Sequence, residues 1–152
     1  MRRIIWLLAS LAVVASLEYA VAPPRSAPAY SQRASATLEL LRSQVQTTRL
    51  WIDAVEAGQV SRTAASVAFT EAEEDARTQA GAFASYDPPE PLERTQPLRE
   101  LMTSAGDATV SLLSEVRVAA TTDRWGRLEE LAPRLDQAQQ RLERQAAEAA
   151  AR

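Results

Sequence analysis

A short run of prolines near the middle of the chain limits what this sequence can fold into. Three of the four residues at positions 88–91 are proline, and proline inside a helix removes a backbone hydrogen bond and clashes with the preceding turn. The flanking stretches, residues 31–86 and 92–150, both carry the apolar spacing of amphipathic helices. The break at 87–91 therefore joins two helical segments of nearly equal length.

Each of the two segments divides at a tight turn, so the sequence predicts two helical hairpins. Gly58 is placed to end a helix in the left-handed conformation, and Ser61 is placed to cap the next one. Short turns make consecutive helices antiparallel. The expected fold class is all-α, an up-down-up-down antiparallel four-helix bundle over residues 33–150. The expected helices cover about residues 31–57, 61–85, 92–121 and 124–148.

Heptad spacing predicts the core-facing residues of the first hairpin. In the first helix the stripe alternates steps of four and three residues: Ala34, Leu38, Leu41, Val45, Thr48, Ile52 and Val55. The stripe of the second helix is small or polar: Ala65, Ala68, Ala72, Asp75, Gln79 and Phe83. We therefore expect Asp75 and Gln79 to form a polar layer in the core, in which Asp75 pairs with an arginine and fixes the register. In the acidic run at 71–75, Glu71, Glu74 and Asp75 share one helical face, which is otherwise predicted to be solvated and charged.

The composition excludes several kinds of chemistry. The chain has no His and no Cys, and every basic residue is Arg, so the usual transition-metal sites, Ser-His catalysis and lysine Schiff bases have no residues to use. Beyond residue 29 the chain has 14 Arg against 19 Asp and Glu, a net charge of −5, which disfavours a nucleic-acid partner. The sequence predicts no enzyme, no cofactor and no metal.

The N-terminus has the pattern of an export signal. Arg2 and Arg3 precede an apolar run from Ile4 to Leu17, which has the length of a signal-peptide core. We assign residues 1–22 as a signal peptide or an uncleaved transmembrane anchor.

The two alternatives for this segment stay open at the sequence level. An A-x-A cleavage site ends at Ala22, but Pro23 follows it and disfavours signal peptidase. The uncleaved stretch 4–22 is 19 residues long, and about 20 residues cross a bilayer. Residues 23–32 then form a proline-rich tether. The bundle is expected outside the cytoplasm, either periplasmic or secreted, or held at the inner membrane by residues 4–22.

The predicted topology places two of the turns at the end of the bundle far from the N-terminus, which we call the distal tip. The aromatic and basic residues near these turns form a candidate partner-binding surface: Trp51, Arg62, Arg124, Trp125 and Arg127. Trp and Arg dominate binding hot spots. The alternative interpretation is that the tryptophans close the end of the core and the arginines are solvated.

The order of features along the chain resembles small exported bacterial all-helical proteins built from helical hairpins. The features are the export segment, the tether, a hairpin, the break beginning Asp87-Pro88-Pro89, and a leucine-patterned hairpin with Thr122-Asp123 at its turn. We expect a non-enzymatic cell-envelope scaffold or accessory subunit that contacts an envelope protein. The alternative is an extracytoplasmic small-molecule sensor or carrier that uses the bundle core or the tryptophan-containing tip.

Overall fold

Four α-helices account for the fold. The computed structural model describes residues 26–152, and this part of the chain contains no strand. The helices α1 to α4 span Ala27–Glu56, Arg62–Ala84, Leu92–Thr121 and Gly126–Ala150. Near the start of α1, the Ser35 hydroxyl donates to the Ala146 carbonyl near the end of α4, at 3.1 Å. The described residues thus form an all-helical four-helix bundle in which α1 and α4 run antiparallel.

The predicted signal peptide or anchor, residues 1–22, lies outside the described residues. Among the helices of residues 26–152, none combines the length and the apolar character that a membrane span requires.

Helix α1 is the centre of the packing. It contacts α2, α3 and α4, whereas α2 and α4 do not contact each other within residues 26–152. The predicted core stripe of α1 is confirmed for six residues that are fully or almost fully buried: Ala34, Leu38, Leu41, Val45, Thr48 and Ile52. Val55, the last residue of the stripe, is partly buried and packs against this core.

The turn between α1 and α2 has the left-handed glycine and the serine cap that the sequence predicts. Gly58 has a φ of +68°, and the Gln59 N–H donates to the Ala54 carbonyl at 2.8 Å, the bond that closes a Schellman motif. The Ser61 hydroxyl accepts a hydrogen bond from the Ala64 N–H at 3.1 Å. Both the helix stop and the helix cap predicted from the sequence are confirmed.

Helix α1 begins at Ala27, earlier than the sequence predicts, so residues 27–32 belong to the bundle and not to a tether. Pro28 does not prevent this, because backbone N–H groups in the first turn of a helix have no intrahelical acceptor. The Tyr30 ring is wholly buried and lies 5.0 Å, centre to centre, from the Phe83 ring at the end of α2. Burial of this aromatic pair stabilises the extra helical turn.

The proline break is confirmed as the connection between α2 and α3, covering residues 85–91. Its Glu90–Pro91 peptide bond is cis, and the Thr95 hydroxyl in the first turns of α3 donates to the Pro89 carbonyl at 2.9 Å. Two further prolines, Pro97 and Pro133, lie inside α3 and α4. Both helices continue through them.

Candidate functional site

A second tight turn, between α3 and α4, completes the distal tip. Helix α3 ends at Thr121, and Asp123 then adopts a positive φ of +56°. The Arg124 N–H donates to the Ala119 carbonyl at 2.8 Å, so this turn is also a Schellman motif, with aspartate in the position that glycine usually takes. The turn delivers Trp125 to the end of the bundle beside the α1–α2 turn.

Arg62 and Trp125 face each other across the tip. The Arg62 guanidinium carbon lies 5.2 Å from the centre of the Trp125 ring, within the range of a cation–π interaction. Arg62 Nη1 is also 3.6 Å from Asp123 Oδ1, with the two side chains 64% and 83% exposed. An ion pair this exposed contributes little to stability. Because their side chains are exposed, Arg62 and Asp123 are accessible to a partner.

An open cavity of about 570 Å³ lies beside this pair, between α1, the α1–α2 turn and the start of α4. Its apolar wall is formed by Ile52, Val55, Val60 and Leu128. Its polar rim is formed by Glu56, Glu129 and the Arg62–Trp125 pair. Ile52 and Leu128 are buried core residues, so the cavity lies directly over the apolar end of the bundle.

The structure brings together two of the five predicted tip residues, Arg62 and Trp125. Trp51 is half-buried, packs against the core and does not line the cavity. Arg127 forms an ion pair within α4. Arg124 is exposed and does not line the cavity either. The interpretation that the tryptophans close the end of the core therefore fits Trp51, whereas Trp125 both packs on the core and lines the cavity.

The predicted polar core layer is wrong at Asp75. Asp75 is exposed and accepts a hydrogen bond from Gln44 Nε2 at 3.2 Å, while Gln79 is half-buried. The cause is the orientation of α2, which buries Phe69 and leaves Ala68 at the edge of the core. A phenyl ring removes far more apolar surface from water than a methyl group, so Phe69 sets the buried face.

The buried acid of α2 is Glu73, which belongs to the acidic run at 71–75 but not to the charged face predicted at Glu71, Glu74 and Asp75. Glu73 is only 2% exposed, and its carboxylate accepts hydrogen bonds from Arg77 in α2 and from Arg117 in α3. Burial by itself raises the pKa of Glu73, but the bonds from Arg117 and Arg77 outweigh it, and the pKa lies below its usual value. The spacing of Glu73 and Arg77 is the signal in the sequence that could have identified this pair.

Within residues 26–152, no group of three or more acidic side chains is placed to hold a metal ion. No protein-family model matches the chain, and neither a curated protein nor a solved structure matches it significantly.

Proposed function

We propose that this protein is a non-enzymatic, extracytoplasmic helical bundle that acts through protein–protein contacts as a cell-envelope scaffold or accessory subunit. The observation that carries the proposal is the pair of an exposed Arg62 and a partly buried Trp125 beside an apolar cavity at the tip. Trp and Arg are the residues most enriched in binding hot spots, and hot spots pair with pockets that exclude water. A partner side chain inserted into the cavity would contact both Arg62 and Trp125, since both line it.

The carboxyl groups with shifted pKa values support a non-enzymatic role. The pKa of Glu115 is lowered by hydrogen bonds from Arg134, and that of Glu73 is lowered by its arginine partners despite burial. A general acid at neutral pH needs a raised pKa. These two carboxylates are therefore suited to holding helices together.

Crosslinking from the tip tests the scaffold proposal. A photoreactive amino acid at position 129, on the rim of the cavity, should capture a specific envelope protein in cells of the native host. Capture should be lost in the Arg62→Ala and Trp125→Ala variants and kept in Arg94→Ala, which removes an exposed arginine of α3 outside the cavity. Capture that is unchanged in Trp125→Ala would refute a binding role for the tip.

The extracytoplasmic location of the bundle needs a separate test, because it rests on the export pattern of residues 1–22. An intact mass equal to the full chain in the membrane fraction indicates an anchored bundle. A mass beginning at Pro23 or later in the soluble fraction indicates a cleaved, diffusing protein. Recovery of the full-length chain in the cytoplasm would overturn the extracytoplasmic assignment.

A second candidate function is that of a small-molecule sensor or carrier, since a volume of about 570 Å³ falls in the range of ligand cavities. A ligand in the cavity should quench Trp fluorescence in a saturable way. The response should disappear in Trp125→Phe and persist in Trp51→Phe, because Trp51 does not line the cavity. An equal response in both variants would place the ligand elsewhere.

A further inference from the structure

The cavity at the distal tip has two acidic residues on its rim. Glu56, the last residue of α1, and Glu129, near the start of α4, both line the cavity and are exposed. Neither carboxylate forms an ion pair with another residue of the described part of the chain. The two charges are therefore available to a group from outside the bundle.

The arginines of the tip do not neutralise these two acids. Arg62 lines the cavity, but its guanidinium lies over the Trp125 ring and 3.6 Å from Asp123 Oδ1. Arg127 is paired with Glu130 by an ion pair within α4. Acidic charge therefore exceeds basic charge around the cavity.

Glu56 also lies at the end of α1 that disfavours its charge. The C-terminus of a helix carries the negative end of the helix dipole, which attracts a cation and repels a carboxylate. The last turn of α1 contains no basic residue. A cation placed beside Glu56 would therefore complement both the carboxylate and the end of the helix.

The accessible part of the apolar wall lies next to these acids. It is formed by Val55, Val60 and the Trp125 ring, each of which is half-buried. Lysine and arginine have apolar stems that pack on such surfaces and carry a charge at the end. A purely apolar side chain would leave the acids unused, and an acidic one would be repelled by them. The combination of wall and rim therefore favours a basic side chain.

We infer that the tip cavity takes a lysine or arginine side chain of the partner protein. The stem of this side chain packs against Val55 and Val60, and its cationic end pairs with Glu56, while Glu129 adds to the attraction. The inference rests on the function proposed above, because it names the partner chemistry that the same site recognises.

Selection from a phage-displayed library of random peptides on the purified full-length protein tests this inference. Peptides that bind the tip should be lost in Trp125→Ala and in Val60→Arg, which fills the cavity from the α1–α2 turn. These tip-dependent peptides should share a lysine or arginine next to apolar residues. Enrichment of aspartate or glutamate at the shared position would indicate recognition by Arg62 and would overturn the inference.

Neutralising the rim tests the role of the two carboxylates. The double variant Glu56→Gln/Glu129→Gln should weaken binding of a fluorescently labelled selected peptide by about three- to tenfold, the effect of exposed ion pairs and a helix end. The matched control, Glu71→Gln/Glu74→Gln, makes the same change in net charge at exposed positions outside the cavity. It should change the affinity by less than about twofold, because distant charges are screened. Equal weakening by the two double variants would overturn the inference.

A change in the peptide identifies the group that pairs with these acids. Norleucine in place of the selected lysine, or citrulline in place of a selected arginine, keeps the stem and removes the charge. This change should weaken binding to the unmodified protein. It should have little further effect in Glu56→Gln/Glu129→Gln, because the ion pair is already absent there. Losses that simply add would overturn the inference.

The same selection separates this inference from the proposed function. Tip-dependent peptides that lack a basic residue would keep the tip as a binding site and overturn only the assignment of lysine or arginine. If no selected peptide depends on Trp125 or Val60, the binding role of the tip and the inference are both overturned.

Discussion

A single buried carboxylate, that of Glu73, ties α2 to α3. It accepts hydrogen bonds from Arg77 and Arg117, whose side chains remain 59% and 33% exposed. We predict that Glu73→Gln lowers the free energy of unfolding by about 1–3 kcal/mol, because two charge-assisted bonds are weakened while both arginines can still reach water. Urea denaturation followed by circular dichroism measures the change.

The matched control is the adjacent residue. Glu74 is exposed, so Glu74→Gln should change the free energy of unfolding by less than about 0.5 kcal/mol. Equal effects of the two substitutions would show that net charge, and not the ion pair of Glu73, determines the result.

The same carboxylate predicts a dependence of stability on pH. The pKa of Glu73 in the folded protein is below its usual value of 4.5, so its contribution is present above pH 4.5 and is lost as the pH falls through the folded value. The decrease in Tm on acidification below pH 4.5 should therefore be smaller in Glu73→Gln than in the unmodified protein. A parallel decrease in both proteins would contradict this assignment.

The position of Glu73 could not be derived from the sequence because α2 has few bulky apolar residues. Glu73 and Asp75 are about 200° apart around a helix, so burying one exposes the other. If the buried stripe of α2 runs through Ala68, it includes Asp75. If it runs through Phe69, it includes Glu73. Small side chains contribute little burial energy, and only the packing of Phe69 decides between the two.

At the scale of helices, α2 and α3 approach closely at Gly106. A Cβ on Gly106 would lie 2.9 Å from the Ala80 Cβ, closer than two carbon atoms can pack. We predict that Gly106→Ala forces the helices apart and lowers the free energy of unfolding by about 1–3 kcal/mol, despite the better helix propensity of alanine. Thermal unfolding of the variant measures the effect as a lower Tm.

Gly81 provides the control for this prediction, since it lies in the same pair of helices but has open space around it. Gly81→Ala should raise the free energy of unfolding by about 0.5–1 kcal/mol through helix propensity alone. If both substitutions stabilised the protein, the close contact at Gly106 would be refuted.

Helix ends were predictable where backbone chemistry fixes them. The stop at Gly58, the cap at Ser61 and the proline break each depend on one residue's own conformational preference, and each is confirmed. The start of α1 at Ala27 was not predictable, because it depends on contact between Tyr30 and Phe83, residues that are far apart in the sequence. The cavity at the tip likewise depends on tertiary contacts between α1 and α4.

For the whole molecule, the two hairpins do not form separate cores. Helices α1 and α4 belong to different hairpins and have the most extensive contact in the bundle, while α3 and α4, within one hairpin, have the least extensive contact of the helix pairs that touch. The core residues of all four helices form one cluster. The described part of the chain should therefore unfold as one cooperative unit.

Leu41 tests this cooperativity, because it is fully buried in α1, which contacts the other three helices. Leu41→Ala should lower the free energy of unfolding by about 2–5 kcal/mol. Its neighbour Leu40 is 47% exposed, so Leu40→Ala should have a much smaller effect. With Trp6 also changed to Phe, fluorescence should show the same shift when either Trp51 or Trp125 is kept and the other is changed to Phe, since one of these two tryptophans lies in each hairpin. Different midpoints for the two reporters would mean that the hairpins unfold independently, and the tip would then be a junction between two domains.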